Sequence, residues 1–168
     1  MLAIWDTDSH EVVAWLTPEE ALDGFAESES LTGIRFTGLT LIGNTVFVSV
    51  ATQDAGGFLM RTSVSEALKP QRVVRVSGDA VTCLGGLDGF LACGTEGGDL
   101  TLLSAERMRI IRTAHNVHTM PVSRVTVNHG GEIVSLGYDN VFAKLHMMRS
   151  TDGGPYFSVF KSFVDRAK

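Results

Sequence analysis

Short apolar runs, each bounded by glycine or by a small polar cluster, recur along most of this 168-residue chain. Runs this short and rich in β-branched and aromatic side chains predict strands. A first pair is expected from Leu2 to Trp5 and from Val12 to Leu16, around the turn Asp6-Thr7-Asp8-Ser9. Gly33 to Thr37, Thr45 to Ala51, Phe58 to Ser63 and Arg72 to Val76 make a second group. Val81 to Leu84, Phe90 to Gly94, Leu100 to Leu103 and Arg109 to Arg112 make a third. Val122 to Val127, Glu132 to Leu136 and Phe142 to Met147 make the last. A single stretch predicts a helix. Thr17-Pro18-Glu19-Glu20 offers a threonine N-cap, proline at the first helical position and glutamate at the third, which together close a capping box. Ala21, Leu22 and Phe25 then form a short apolar stripe, and the helix is expected to end by about Glu29, where serine-rich polar sequence follows.

The groups are not independent. Ala80 to Met147 passes twice through one pattern, AVTCLGGLDGFLACGTEGGDLTLLS and then PVSRVTVNHGGEIVSLGYDNVFAKLHM. A period of about forty residues, with several short strands and glycine-rich turns per copy, is the signature of propeller blades. Leu91-Ala92-Cys93-Gly94-Thr95-Glu96-Gly97-Gly98-Asp99-Leu100-Thr101-Leu102-Leu103 resembles the second-to-third strand unit of a WD repeat, with Leu103 at the tryptophan position. Ala114-His115, Ser135 and Asp139 resemble the histidine, serine and aspartate of the next repeat, and Trp5-Asp6 supplies a literal Trp-Asp. The resemblance implies an all-β fold: a WD-repeat-like β-propeller segment of about three and a half four-stranded blades with one short inserted helix. The expected layout is a half blade over 2–16, a helical insertion over 17–29, and blades over 31–76, 80–112 and 121–160.

The last third also resembles the exchange factors for the Sar-type GTPase at the endoplasmic reticulum, the prolactin regulatory element-binding protein family. Its residues are Arg109-Ile110-Ile111-Arg112-Thr113-Ala114-His115, Val122-Ser123-Arg124-Val125-Thr126-Val127 and Ala143-Lys144-Leu145-His146. That resemblance implies a propeller on the cytosolic face of the endoplasmic reticulum that binds a small GTPase in vesicle transport. The family's potassium-binding loop and transmembrane helix are not visible in this sequence, so no exchange residue is carried over.

Composition narrows the classes. A net charge of −5 and a pI near 5.5 give no basic footprint, so nucleic acid is not expected as a partner. Cys83 and Cys93 are too few for a disulfide framework and are expected as buried free thiols in a reducing compartment. MLAIWDTDSHEVVAW has no basic region followed by an apolar core, so no secretory leader is expected, and the chain is placed in the cytoplasm. No run approaches the roughly 18 apolar residues of a membrane span.

Candidate chemistry is sparse. His115 and His118, with His129 or His146, have loop spacing and no cysteine pair, so no metal site is expected. His115, Ser135 and Asp139 are expected to form a structural polar network, and with no nucleophile elbow no catalytic triad is assigned. The glycines at 85–86 and 94–98 lack a Walker lysine and a following helix, so they predict hairpin turns and no cofactor. Glu19 and Glu20, with Asp23, Glu27 and Glu29, give the helix an acidic face offered as a candidate partner-binding surface. The tail from Pro155 to Val164 fits either a helix with Tyr156, Phe157, Phe160, Phe163 and Val164 on one face, docked on the propeller or near a membrane, or a strand from Tyr156 to Phe160 that completes the last blade. The strand is favoured. Three and a half blades fall short of the four to eight of closed propellers, which implies missing blades, a four-bladed closure or self-association; a single partial or truncated propeller over 1–168 is favoured. The expected function is protein binding, as an exchange-factor propeller or as a generic scaffold of a cytosolic or nuclear complex, with a small hydrolase on a β scaffold as the alternative from another class.

Overall fold

The computed structural model describes residues 1–23, 31–87, 89–129, 132–149 and 155–163. Three four-stranded antiparallel sheets follow one another in chain order, each a simple meander, after an N-terminal hairpin. The hairpin pairs β1 (Leu2–Asp6) with β2 (Glu11–Leu16). The first sheet holds β3 (Arg35–Ile42), β4 (Thr45–Ala51), β5 (Gly57–Ser63) and β6 (Arg72–Ser77). The second holds β7 (Val81–Leu87), β8 (Phe90–Thr95), β9 (Leu100–Ser104) and β10 (Arg109–Ala114). The third holds β11 (Val122–Val127), β12 (Ile133–Gly137), β13 (Val141–Arg149) and β14 (Pro155–Phe163).

The sheets stack face to face, and β7 packs between β3 and β11, so the first strands of the three sheets line a common inner side. A sheet covered on both faces reads as an unbroken apolar run, which is why Val46 to Ala51 of β4 is buried throughout. Three apolar layers fill the gaps. Leu16, Val46, Val48, Val50 and Met60 join the hairpin to the first sheet. Phe47, Leu59, Leu91, Cys93 and Leu103 join the first sheet to the second. Ala92, Leu100, Leu102, Ile133 and Leu145 join the second to the third.

Every pairing of a first with a second strand carries a bulge at the same place. The ladder skips Thr37 between Phe36 and Gly38, Thr82 between Val81 and Cys83, and Ser123 between Val122 and Arg124. An extra residue in one strand leaves a ladder group unpaired and sharpens the twist. Each skipped residue carries a hydroxyl that reaches the same carbonyl on the second strand: Thr37 to Ser49 at 3.4 Å, Thr82 to Gly94 at 3.2 Å and Ser123 to Leu136 at 2.8 Å. The repeat is therefore one of backbone geometry, although the skipped residues share nothing but the hydroxyl. Gly85 lies where the inner strands of the second and third sheets approach closely. A Cβ there would stand 2.7 Å from the Val125 carbonyl oxygen.

Four expectations are corrected or resolved. The first strand of the first sheet starts at Arg35 and runs to Ile42, not from Gly33 to Thr37, because Gly33 turns with φ +61. The helix α1 (Pro18–Leu22) ends at Leu22, seven residues before Glu29, and the backbone of the next residue, Asp23, is extended. Its capping box is as the sequence predicts, and Ala21 and Leu22 are buried in the hairpin layer; Phe25, Glu27 and Glu29 lie outside the described residues. The tail is a strand. Residues 155–163 pair along β13 from Val141↔Phe163 to Arg149↔Pro155, which rules out the helical alternative. Cys83 and Cys93 are free thiols on opposite faces of one sheet, since Cys93 is paired with Leu84 and Cys83 with Gly94.

Candidate functional site

Pro121 and Val122 open the third sheet after a loop that carries both expected histidines, and the two have different fates. His118 is 1% exposed. Its Nε2 lies 2.8 Å from the Ser135 Oγ on β12, and its Nδ1 lies 3.2 Å from the Asp139 Oδ1 in the β12–β13 turn. Asp139 also accepts from the Thr119 amide at 2.8 Å and from the Val141 amide at 3.0 Å. Burial works to raise the Asp139 carboxyl, but the Thr119 and Val141 amides and the His118 ring outweigh it and hold it below the ordinary carboxylate value. An ionised Asp139 only accepts, so Nδ1 of His118 donates to it, and the Ser135 hydroxyl, which can donate or accept, bonds Nε2.

His115 is not part of this network. Its ring is largely exposed, with Nδ1 2.7 Å from the Asp99 Oδ2, and Asp99 also accepts from the Asn116 amide at 2.8 Å. The histidine expected to join Ser135 and Asp139 is thus the wrong member of the pair, and the structure puts His118 in its place. Room decides it. Gly137 leaves the space that the His118 ring fills, since a Cβ there would stand 2.5 Å from Nδ1. The His118 amide donates to the Gly98 carbonyl at 3.0 Å, which fixes the loop against the second sheet. The equivalent positions of the second sheet, Cys93 and Gly97, provide no such set.

With His118 and Ser135 both buried and bonded to each other, the serine hydroxyl has no open path to a substrate. The trio ties one loop to two strands. Among the described residues no group of three or more His, Cys, Asp or Glu side chains has the arrangement of a metal site. Burial pushes both thiols up, Cys93 furthest, so neither is poised as a nucleophile. Both acidic residues of α1, Glu19 and Glu20, are exposed, and the Glu20 carboxylate also accepts from the Thr17 amide at 2.8 Å.

The surfaces at the two ends of the stack are less expected. The ladder registers align the three sheets residue by residue. Gly38–Ser49–Leu59, Cys83–Gly94–Leu100 and Arg124–Leu136–Phe142 are equivalent rows across the first three strands, and so are the pairs Phe47–Arg61, Ala92–Leu102 and Val134–Lys144. In the first two sheets the next sheet covers these rows, and Leu59 and Leu100 are fully buried. In the third sheet no described residue covers them, and Leu136 and Phe142 are 37% and 38% exposed. Beside them Glu132 takes Lys144 Nζ and His146 Nδ1 at 2.9 Å each; the Lys144 hydrogen bond, aided by Asn128, holds its carboxyl below the usual range against a smaller opposing effect of burial.

At the other end, Leu2, Ile4, Ala14 and Leu16 of the hairpin face the first sheet, while Trp5 and Trp15 point outward, 60% and 62% exposed. A two-stranded sheet does not reach the inner strand, so Leu39 and Leu41 of β3 are also exposed on the side the hairpin shares. Between the first and second sheets lies an open polar cleft of roughly 320 Å³ lined in part by Arg35, Gln53, Asp79 and Glu96.

No protein-family model matches the sequence, and no curated protein matches it significantly. Solved structures do match. The fold is similar to a chain of the mitotic checkpoint complex (19% identity, TM-score 0.62), and 83% of this chain aligns with 40% of that one. It is similar to U3-55K (16%, TM-score 0.60) and to the RRP9 WD40 repeats (15%, TM-score 0.61), again over 83% of this chain and 42% and 41% of those chains. The fold is that of a WD-repeat β-propeller. Each four-stranded meander has the architecture of a blade. The chain spans about two fifths of the solved chains it matches.

Proposed function

We propose that this propeller segment is a protein-binding scaffold. The observation that carries this reading is the concentration of exposed large apolar side chains on sheet surfaces: Trp5 and Trp15 at one end, Leu39 and Leu41 on the inner strand, Leu136 and Phe142 at the other end. Contiguous exposed apolar surface on a folded domain marks interaction sites. Reconstitution from purified components tests it. A captured partner should form a saturable, stoichiometric complex that Leu39→Lys weakens at least tenfold; indifference of every captured partner to substitutions on these surfaces overturns it.

The narrower reading, supported by the sequence pattern of the last blade and of the strand before it, is an exchange-factor propeller for a Sar-type GTPase at the cytosolic face of the endoplasmic reticulum. Among the described residues no helix is long and apolar enough to cross a membrane. A pull-down with the nucleotide-free GTPase separates the two: enrichment over the nucleotide-bound form supports the exchange-factor reading, and its absence leaves a generic scaffold. Glu19 and Glu20, both exposed on α1, would add an acidic edge to such a surface, with Glu20 also closing the cap.

A further inference from the structure

We infer that the groove where β10 begins, on the side of the second blade that faces the third, seats an acidic segment of a partner protein, with an apolar side chain on its floor and carboxylates on Arg107 and Arg109. The inference rests on the protein-binding reading and names the chemistry of the partner. The groove is open, roughly 330 Å³, and joins two kinds of group: the apolar Phe90, Ile110 and Ile111, and the arginines Arg107 and Arg109. Phe90 and Ile111 pack against the apolar layer between the second and third sheets, which makes them its floor. Both arginines are exposed.

A bulge gathers the charge on this side. The ladder between β9 and β10 skips Ile111, so that Arg109 stands opposite Ser104 and Arg112 opposite Leu102. In an unbroken strand residues three apart point to opposite faces. The skipped residue puts Arg112 on the face of Arg109, toward the third sheet, where Leu102 packs. The run from Arg107 to Arg112 thus carries three arginines and no acid, in a chain of net charge −5. Its acidic neighbour, Glu106, lines the groove on the opposite side, between the first and second sheets. There Arg61 donates from Nη1 to the Glu106 carbonyl at 3.2 Å and ties the two blades together. Among the described residues no ion pair or side-chain hydrogen bond takes up Arg107, Arg109 or Arg112. Arginines on an edge strand also discourage strand addition, but the bulge already interrupts that edge. An apolar floor beside them is what a ligand uses. Carboxylates form paired, charge-assisted hydrogen bonds with guanidinium groups. In an extended segment residues two apart share a face, so acidic and apolar residues at alternate positions reach the groove together.

The probe is the acetylated and amidated peptide Glu-Ser-Phe-Ser-Glu, titrated calorimetrically into the full chain. It should saturate one site with a dissociation constant of about 1 mM or tighter. Glutamines in place of both glutamates, serine in place of the phenylalanine, Arg107→Ala or Arg109→Ala should each weaken it about tenfold. Arg75→Ala, an exposed arginine on the outer strand of the first blade, should leave it unchanged. The double reversal Arg107→Glu with Arg109→Glu should keep its circular dichroism and take Lys-Ser-Phe-Ser-Lys instead. No binding by the parent chain, indifference to the serine-for-phenylalanine exchange, or an equal loss in Arg75→Ala overturns the inference. A phosphothreonine probe that binds while the glutamate probe does not overturns the carboxylate as ligand. None of these results touches the scaffold reading, which is tested separately on a captured partner with Leu39→Lys.

Discussion

The Thr82 hydroxyl donates to the Val122 carbonyl at 2.6 Å, so a residue skipped by its own ladder joins the inner strand of one blade to that of the next. The same oxygen lies 3.2 Å from the Gly94 carbonyl of its own blade. Thr82→Val keeps the shape but presents a methyl group to both acceptors, at an expected cost of about 1–3 kcal/mol. Thr37 bonds within its own blade alone, to Ser49, so Thr37→Val should cost less. Urea denaturation of the two variants measures the difference, and equal midpoints would remove the link between blades from the account.

His118 and His115 should respond very differently to truncation. His118→Ala leaves the Ser135 hydroxyl and the Asp139 carboxylate without the ring and opens a cavity, for an expected loss of about 2–4 kcal/mol. His115 is an exposed pair with Asp99, where losses stay below about 1 kcal/mol. Comparable denaturation midpoints for the two variants would contradict the assignment of the network.

Asp139 links stability to acid. Its carboxyl is held below the ordinary value in the folded state, so the unfolded chain binds the proton more readily. The stabilisation is therefore complete above an unfolded value of about 3.9 and is lost as the pH falls through the lower folded value. Stability measured from pH 5 downward should fall less steeply in Asp139→Asn, starting from a lower plateau. Parallel profiles for parent and variant would count against it.

Gly85 and Gly43 distinguish crowding from backbone strain. Alanine at 85 meets the Val125 carbonyl at 2.7 Å and should part the second and third blades, costing about 1–3 kcal/mol. Gly43 has φ +58 and open space around it, so alanine there should cost only the left-handed backbone, about 1 kcal/mol. Thermal unfolding ranks the two, and the reverse order would show that the inner strands are free to separate.

The thiols should behave as spectators. Reducing agent should leave the melting temperature unchanged, since Cys83 and Cys93 lie on opposite faces, and native Cys93 should resist alkylation until the protein unfolds. Fast labelling of Cys93 under native conditions would mean that the joint between the first two blades opens readily.

Much of the fold was legible in the chain because strand formation is local. β4 and β8 declare themselves by composition, and the capping box of Thr17 and Glu20 depends on four consecutive residues. The repeat carried the stacking as well, since a sheet that is apolar on both faces needs a neighbour on each. The length of α1 was less legible, because Asp23 turns extended where Ala21 and Leu22 are already anchored in the hairpin layer. The bulge hydroxyls of Thr37, Thr82 and Ser123 had a faint signal, a small hydroxylic residue just inside each inner strand, which is visible only once the ladders are in register.

By itself the sequence determined the kind of element, the order of the strands and the presence of blades, all of which follow from the period of apolar positions and from the turns between them. Only the tertiary structure decided which histidine serves the network and which faces stay uncovered. His115 and His118 share one loop and one chemistry. The choice between them falls to the space above Gly137 and the anchor at the Gly98 carbonyl, contributed by segments remote in the chain. Likewise Trp5, Trp15 and Phe142 are apolar strand residues like those of the core, and their exposure depends on whether another sheet stands opposite, a relationship that no local pattern contains.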